Sequence, residues 1–444
     1  MKIAYFSPLS PDPSGISDFS EELLPELKQY LDIDLFARKE PTNKCITNKF
    51  QVYKIEEFDN PELRGQYDEY IYQVGNNIIY HGEIINTFLK YPGILELHDF
   101  SLHHYLAEKT YAQGDNAGYI ETMKYCHGKK GEKVAREFVE GKIGAPWEDQ
   151  SDKFPVNKYL IDKAKAIIVH SDMAKQMVKG IRPDAKVINI PLHTFIIDEN
   201  PREYMLRCRK QLNIAADILV MGSFGYANRS KRIIPIMEAL AKIKAEYSID
   251  FKYYIVGKIQ ESEIQEAIHK LGLDKNVVVT GFVDMTDFEI YMGICDFCFN
   301  LRYPTQGESS ASLHRMLGMG KPALVTKIGS FEEYPDSIVV KISHGQDEMN
   351  DIYNAVLELY KDRRRLQELS QNALKYAAEH YSLGVNIKRY YNFLVDIKEE
   401  TYEDLYEDTL LDRLYCLGVA NIDTYFDFFL EKHIKKIDNW NLIL

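Results

Sequence analysis

Three side chains stand where they could do chemistry: Lys231, His98 and Glu308. Glu308 lies in RYPTQGESSASLHRMLGMGKP, residues 302–322, where a polar loop runs into a short amphipathic helix. Ala311, Leu313, Met316 and Leu317 form the apolar stripe of that helix, Gly320 ends it and Pro322 prevents its continuation. Gly307, Ser309, Ser310 and Ala311 surround its start. Serine and glutamate are ordinary helix starters. Small residues there also let an anion approach the free first-turn amides and the positive end of the helix dipole. A carboxylate such as Glu308 cannot favour a phosphate, but it accepts hydrogen bonds from sugar hydroxyls. Phosphate and sugar together suggest a nucleotide sugar. Lys231 follows the strand-like DILVMGSFGY at 217–226, and His98 ends the apolar run PGILEL at 92–97.

The elements that must position these residues come in two similar series. KIAYF, residues 31–37, EYIYQV (69–74), PGILEL, AKAIIVHS (164–171) and KVINIP (186–191) read as strands separated by helical stretches. Helices are expected at about 19–30 and 103–142. After the polar segment 192–214 the pattern restarts with DILVMGSFGY, FKYYIVGK, NVVVTGFV, CDFCFNL and PALVTKI. A helix is expected over about 231–247, with Ile233, Ile236, Met237, Leu240 and Ile243 on one face. Alternating strands and helices predict an α/β protein with parallel sheets covered on both faces. The expected organisation is two doubly wound Rossmann-like domains, 1–191 and 215–380. A hinge at 192–214, a crossover helix at 381–398 and a helical tail at 399–444 complete it. Two such domains facing each other place a cleft at the carboxyl ends of both sheets.

Composition narrows the function classes. A net charge of −13 over 444 residues disfavours nucleic acid as a partner. No apolar run is long enough to span a bilayer, and Met1 leads straight into KIAYF rather than a signal peptide, so a cytoplasmic protein is expected. Basic runs at 128–136 and 361–365 leave room for peripheral contact with the inner face of a membrane. The acidic, aromatic tail leaves room for homo-oligomerisation. Cys295 and Cys298 form a CxxC inside a strand-like run with no second ligand pair, which reads as core cysteines rather than zinc. Asp32 and Asp34 flank Ile33 in another strand. No metal site is expected.

The second half resembles the donor-binding domain of glycosyltransferase family 4, retaining enzymes of the GT-B fold. The resemblance runs through MGSFGY with Lys231-Arg232, then YYIVGK with Gly257, VVVTGFV, GESSAS and GKP. YQVGNN with Gln73 and Asn76, His81, and PGILELHDF with His98 and Asp99 extend it into the first half, over roughly 1–398 in all. It implies that Lys231 binds the donor diphosphate and that Phe282 and Val283 border the base. It further implies that Gly15 brings backbone near the diphosphate and that His98 contacts the transferred sugar. Gln73, Asn76 and Asp99 fall toward the acceptor. The chain departs from the family where two spaced glutamates usually precede Gly-Lys-Pro: Gly307 and Arg315 occupy those places. GESSAS matches a branch with a G-E-[ST]-S loop instead, in which Glu308 serves the sugar or the ribose. The usual arginine ahead of the lysine falls at Gly225, so Arg229 or Arg232 would substitute.

The resemblance implies transfer of a sugar from a UDP- or GDP-linked donor to a hydroxyl of a glycan or lipid-linked acceptor. The anomeric configuration would be retained, no separate cofactor would be needed, and the setting would be bacterial surface polysaccharide or glycoconjugate synthesis. A sugar-nucleotide epimerase of the same fold and a catalytically silent scaffold or binding subunit are the alternatives.

Overall fold

A computed structural model describes residues 1–305, 307 and 309–416, with side chains described as far as residue 399. Two parallel sheets organise it. The first contains β1 (Lys2–Phe6), β2 (Asp32–Ala37), β3 (Val52–Lys54), β4 (Glu69–Val74), β5 (Ile94–Leu97), β6 (Ala166–Val169) and β7 (Val187–Asn189). Their order is β3-β2-β1-β4-β5-β6-β7. The second contains β8 (Leu219–Phe224), β9 (Phe251–Val256), β10 (Val277–Gly281), β11 (Phe297–Asn300), β12 (Ala323–Thr326) and β13 (Val339–Ile342), in the order β10-β9-β8-β11-β12-β13. Both are doubly wound, and the order reverses beside β1 in one and beside β8 in the other. Strands β3 and β13, the short edges, were not expected from the sequence.

Alternation along each strand buries both faces. In β8, Leu219 and Met221 enter one apolar cluster, while Val220 and Phe224 enter the other. In the first sheet Phe6 stacks on Phe36 and Tyr72, with ring centroids 4.7 and 4.5 Å away. Cys295 and Cys298 are free, buried thiols in the second core. Asp34 accepts from the Tyr67 hydroxyl at 2.9 Å and lies 3.0 Å from Lys2, a structural carboxylate on β2.

Two helices bear on the site. Gly15–Leu27 starts four residues earlier than expected, because Ser14 in extended geometry accepts from the Ile16 amide and caps it. Ala311–Gly318 begins after Ser310, whose hydroxyl accepts from the Leu313 amide at 3.3 Å. The helix expected from 231 begins instead at Ile233. Residues Arg229–Lys231 form a short 3-10 turn, and Arg232 at φ 58° breaks the path between them.

The chain divides into two compact units, Met1–Tyr391 and Asn392–Leu444. Both sheets belong to the first. The described part of the second is helical, and residues 417–444 of the expected tail lie outside the described residues. No helix among the described residues is long and apolar enough to cross a membrane.

Candidate functional site

The carboxyl ends of the two sheets enclose a cavity of about 580 Å³. On one wall stand Gly15, Phe19 and Glu22 from the first helix, with Asn76, His98 and Asp99 from the ends of β4 and β5. Ser309, Ala311, Ser312 and Arg315 form the other. Eight residues named from the sequence therefore meet here: Gly15, Asn76, His81, His98, Asp99, Ser309, Ala311 and Arg315. A side chain at Gly15 would meet nothing within 4 Å, so the backbone is open to a ligand there. Across from it, the first-turn amides of a helix lack intrahelical acceptors and carry the positive end of its dipole. Ser310 is buried as the cap, its hydroxyl 2.9 Å from Asn300 Oδ1.

Lys231 is not among the residues lining this cavity; its ammonium stands at the carboxyl end of β8. Lys231 Nζ donates to the Phe224 carbonyl. Burial, reinforced by the charge of Arg302, pushes its pKa well below the ordinary lysine value. Gly225, at φ 87°, explains the arrangement: a Cβ there would lie 2.6 Å from Lys231 Nζ. The position at which the resemblance leads one to expect an arginine is filled here by the ammonium of Lys231. Gly257 packs on the Gly225 backbone so closely that a Cβ would come within 2.2 Å of the Gly225 carbonyl. These glycines make a bare floor at the ends of β8 and β9.

Some expected residues stand elsewhere. Arg232 is committed to Glu348, with Nε at 2.9 and 3.0 Å from its two oxygens; this ion pair directs it to the helix Glu348–Lys361 rather than to a phosphate. Arg229 is exposed on the 3-10 turn. Phe282 is exposed beyond β10, and Val283 packs against the second core. Gln73 is fully buried, which removes it from the acceptor side. Asn76 Oδ1 accepts from the Tyr105 amide at 2.9 Å, and Asp99 accepts from the Asn76 amide at 2.8 Å, so this pair shapes the loop that frames the cavity. Gly307 packs near Phe100, where a Cβ would approach Phe100 Cβ to 3.1 Å. Glu308 lies outside the described residues.

Contacts between the lobes supply partnerships the sequence did not reveal. Arg315 reaches Glu289 at 2.5 Å on its own lobe and Glu22 at 3.2 Å across the cavity. Burial works to raise the Glu22 pKa, but His193 and Arg315 outweigh it and hold the carboxyl below its usual range. Ser309 donates to the His170 carbonyl at 2.8 Å, and Glu333 accepts from the amides of Asp172 and Met173. Arg302 was within reach of sequence reasoning, since a cation immediately beyond β11 is placed like a strand-end ligand.

Burial keeps His81, His98 and His170 neutral. Burial drives His98 well below the ordinary value, with His170, His81 and His193 adding to it. His81 and His170 are both pushed down to about 4 by burial. Glu96, His98 and His170 bring three potential metal-binding atoms within 4.8 Å of one another. Protein hydrogen bonds already engage Glu96 and His98, however, and the trio reads as an internal network.

Residues 205–376 match the family model of glycosyl transferases group 1. The second sheet is thus the core of a glycosyltransferase domain. HepE of Anabaena, solved in complex with UDP, is 16% identical with a TM-score of 0.61 and covers 89% of this chain and 100% of its own. Sucrose-phosphate synthase of Thermosynechococcus elongatus is 14% identical at a TM-score of 0.61, covering 92% and 100%. WaaG, a glycosyltransferase involved in lipopolysaccharide biosynthesis, is 12% identical at 0.56, covering 88% and 98%. At these identities the likeness establishes the two-lobed GT-B fold, and the transferase domain is its second lobe. No curated protein matches the chain.

Proposed function

We propose that the protein is a retaining glycosyltransferase of family 4. It moves a sugar from a nucleoside diphosphate sugar to a hydroxyl of a glycan or lipid-linked acceptor, in the synthesis of bacterial surface polysaccharide or glycoconjugate. The observation that carries this reading is the cavity itself, where a helix start on the transferase domain faces Gly15, His98 and Asp99 of the other lobe. HepE is also known in complex with UDP-glucose, which favours a UDP-sugar over a GDP-sugar here.

The chemical demand is to stabilise charge on the departing diphosphate. Lys231, Arg302 and the helix start at Ser310–Ala311 would meet it by electrostatic stabilisation. The leaving phosphate can take the acceptor's proton, so no dedicated carboxylate base is required. Protein cations perform the work a divalent metal would otherwise do, and the reaction is metal-independent. The neutral acceptor-side histidine offers hydrogen bonds to hydroxyls without competing for the phosphate.

Calorimetric titration of the protein with UDP and with GDP in EDTA, followed by a screen of the corresponding nucleotide sugars for release of the nucleotide, tests this. Binding of one nucleotide without metal and sugar-dependent release are expected. Failure to bind either would overturn the transferase reading and favour a scaffold.

A further inference from the structure

A line of hydrogen bonds runs beneath the cavity wall. Tyr390 donates its hydroxyl to Glu96 Oε1, and Gln73 Nε2 donates to Glu96 Oε2 at 2.5 Å. Gln73 Oε1 then lies 2.6 Å from His98 Nε2. Tyr390, Glu96 and Gln73 are fully buried, while His98 is half-buried and lines the cavity. The directions follow from donor chemistry. With Glu96 ionised it only accepts, so Gln73 must then turn its amide NH₂ to Glu96 and its carbonyl to His98. Only an N–H can meet that carbonyl.

We infer that Glu96 is a positioning residue: acting through Gln73, it holds His98 as the Nε2–H tautomer and leaves Nδ1 as an acceptor for a hydroxyl of the bound sugar or acceptor. The ligand's identity rests on the proposed function; the tautomer does not. His170 does not disturb the line. Its Nδ1 lies 2.8 Å from the Ile190 carbonyl and is the donor there, leaving a bare Nε2 3.7 Å from Glu96 Oε1. Tyr390, the anchor, stands on a helix the chain enters only after the second sheet is complete. Glu96 is thus fixed by a residue remote in sequence, which suits a device that sets geometry inside an assembled molecule.

The test is a long-range ¹⁵N–¹H correlation spectrum of the full-length protein with ring-labelled histidine, with His98→Asn to assign the signal. It is recorded above the value of about 7 to which burial lifts Glu96. The expected wild-type pattern is Nε2–H. Glu96→Gln is nearly isosteric but can offer its own NH₂ to the Gln73 carbonyl, so Gln73 can rotate and His98 should move toward Nδ1–H. Adding Gln73→Glu to that variant restores an acceptor facing His98, and the Nε2–H pattern should return. Transfer should follow the tautomer, with kcat down about tenfold in Glu96→Gln, donor KM little changed, and recovery in the double variant. A wild-type Nδ1–H pattern, or an unchanged one in Glu96→Gln, overturns the inference. Expected spectra without any sugar transfer by the wild type would sink the transferase reading and leave the tautomer assignment standing.

Discussion

Lys231→Met probes the electrostatic centre of the site. The ammonium donates to the Phe224 carbonyl and is opposed by Arg302, and burial depresses its pKa. A buried charge left without a counter-ion costs several kcal/mol before relaxation. Methionine keeps the length and removes the charge, at the loss of one hydrogen bond worth about 1 kcal/mol. The net expectation is a gain of about 1–2 kcal/mol in the ligand-free protein, the usual exchange of function for stability. The sign with pH follows from linkage. A lysine with a depressed folded pKa leaves the unfolded chain holding more protons, so wild-type stability rises as pH climbs toward the ordinary lysine value. The advantage of Lys231→Met should therefore be largest near neutrality and shrink at alkaline pH. Nucleotide affinity should fall about 10–100-fold, the worth of a charge-assisted contact. Bound diphosphate would also raise the lysine pKa, so wild-type binding in mildly alkaline buffer should take up protons. Denaturation curves and calorimetry in buffers of different ionisation enthalpy read all three effects. If Lys231→Met loses stability in step with affinity, or shows the same proton uptake as wild type, the assigned role is refuted.

Ser310→Ala removes the cap of the helix at the cavity and its bond to Asn300, so thermal denaturation should show a loss of about 1–2 kcal/mol. Arg315→Ala frees Glu22 across the cavity; small-angle scattering should show a larger mean radius of gyration, with loss of the Glu22 pair itself costing no more than about 1 kcal/mol because that side chain is 40% exposed. Glu96 has its folded pKa raised to about 7 by burial. The folded protein thus holds this proton more tightly than the unfolded chain, and stability falls by about 3 kcal/mol as pH rises from the ordinary glutamate range through 7. Glu96→Gln should flatten that part of the stability–pH curve, and an unaltered slope would show that Glu96 does not titrate there.

What the sequence made legible was local, and what it hid was either conformational or remote. Apolar periodicity located the strands from KIAYF to PALVTKI, since burial on both faces demands apolar residues at successive positions. The edge strands Val52–Lys54 and Val339–Ile342 escaped because three or four residues carry too little pattern. Strand ends told where a cavity must open and helix-start chemistry pointed to Ala311, so His98 and Ala311 could be named from position, whereas Gly15 and Asp99 came from the resemblance. Periodicity did not show that Arg232 turns left-handed, so Lys231 was expected on a helix when it stands on the turn before it. The partnerships Glu22–Arg315 and Glu96–Tyr390 join residues 293 and 294 positions apart, and no local signal encodes such a pairing.

Gly225 shows how a local reading can be turned round. Against the family pattern it looked like a lost arginine, a gap in the grip on phosphate. In the folded chain the space a side chain would enter holds the Lys231 ammonium, brought there by the turn at 229–231. An arginine at 225 would have to displace the lysine. One cation at that spot therefore excludes the other, and the second positive charge must come from a different strand. On the proposed function, Arg302, just beyond β11 and near enough to depress the Lys231 pKa, would supply it. On that reading, the departure at Gly225 and the presence of Arg302 would answer a single electrostatic requirement.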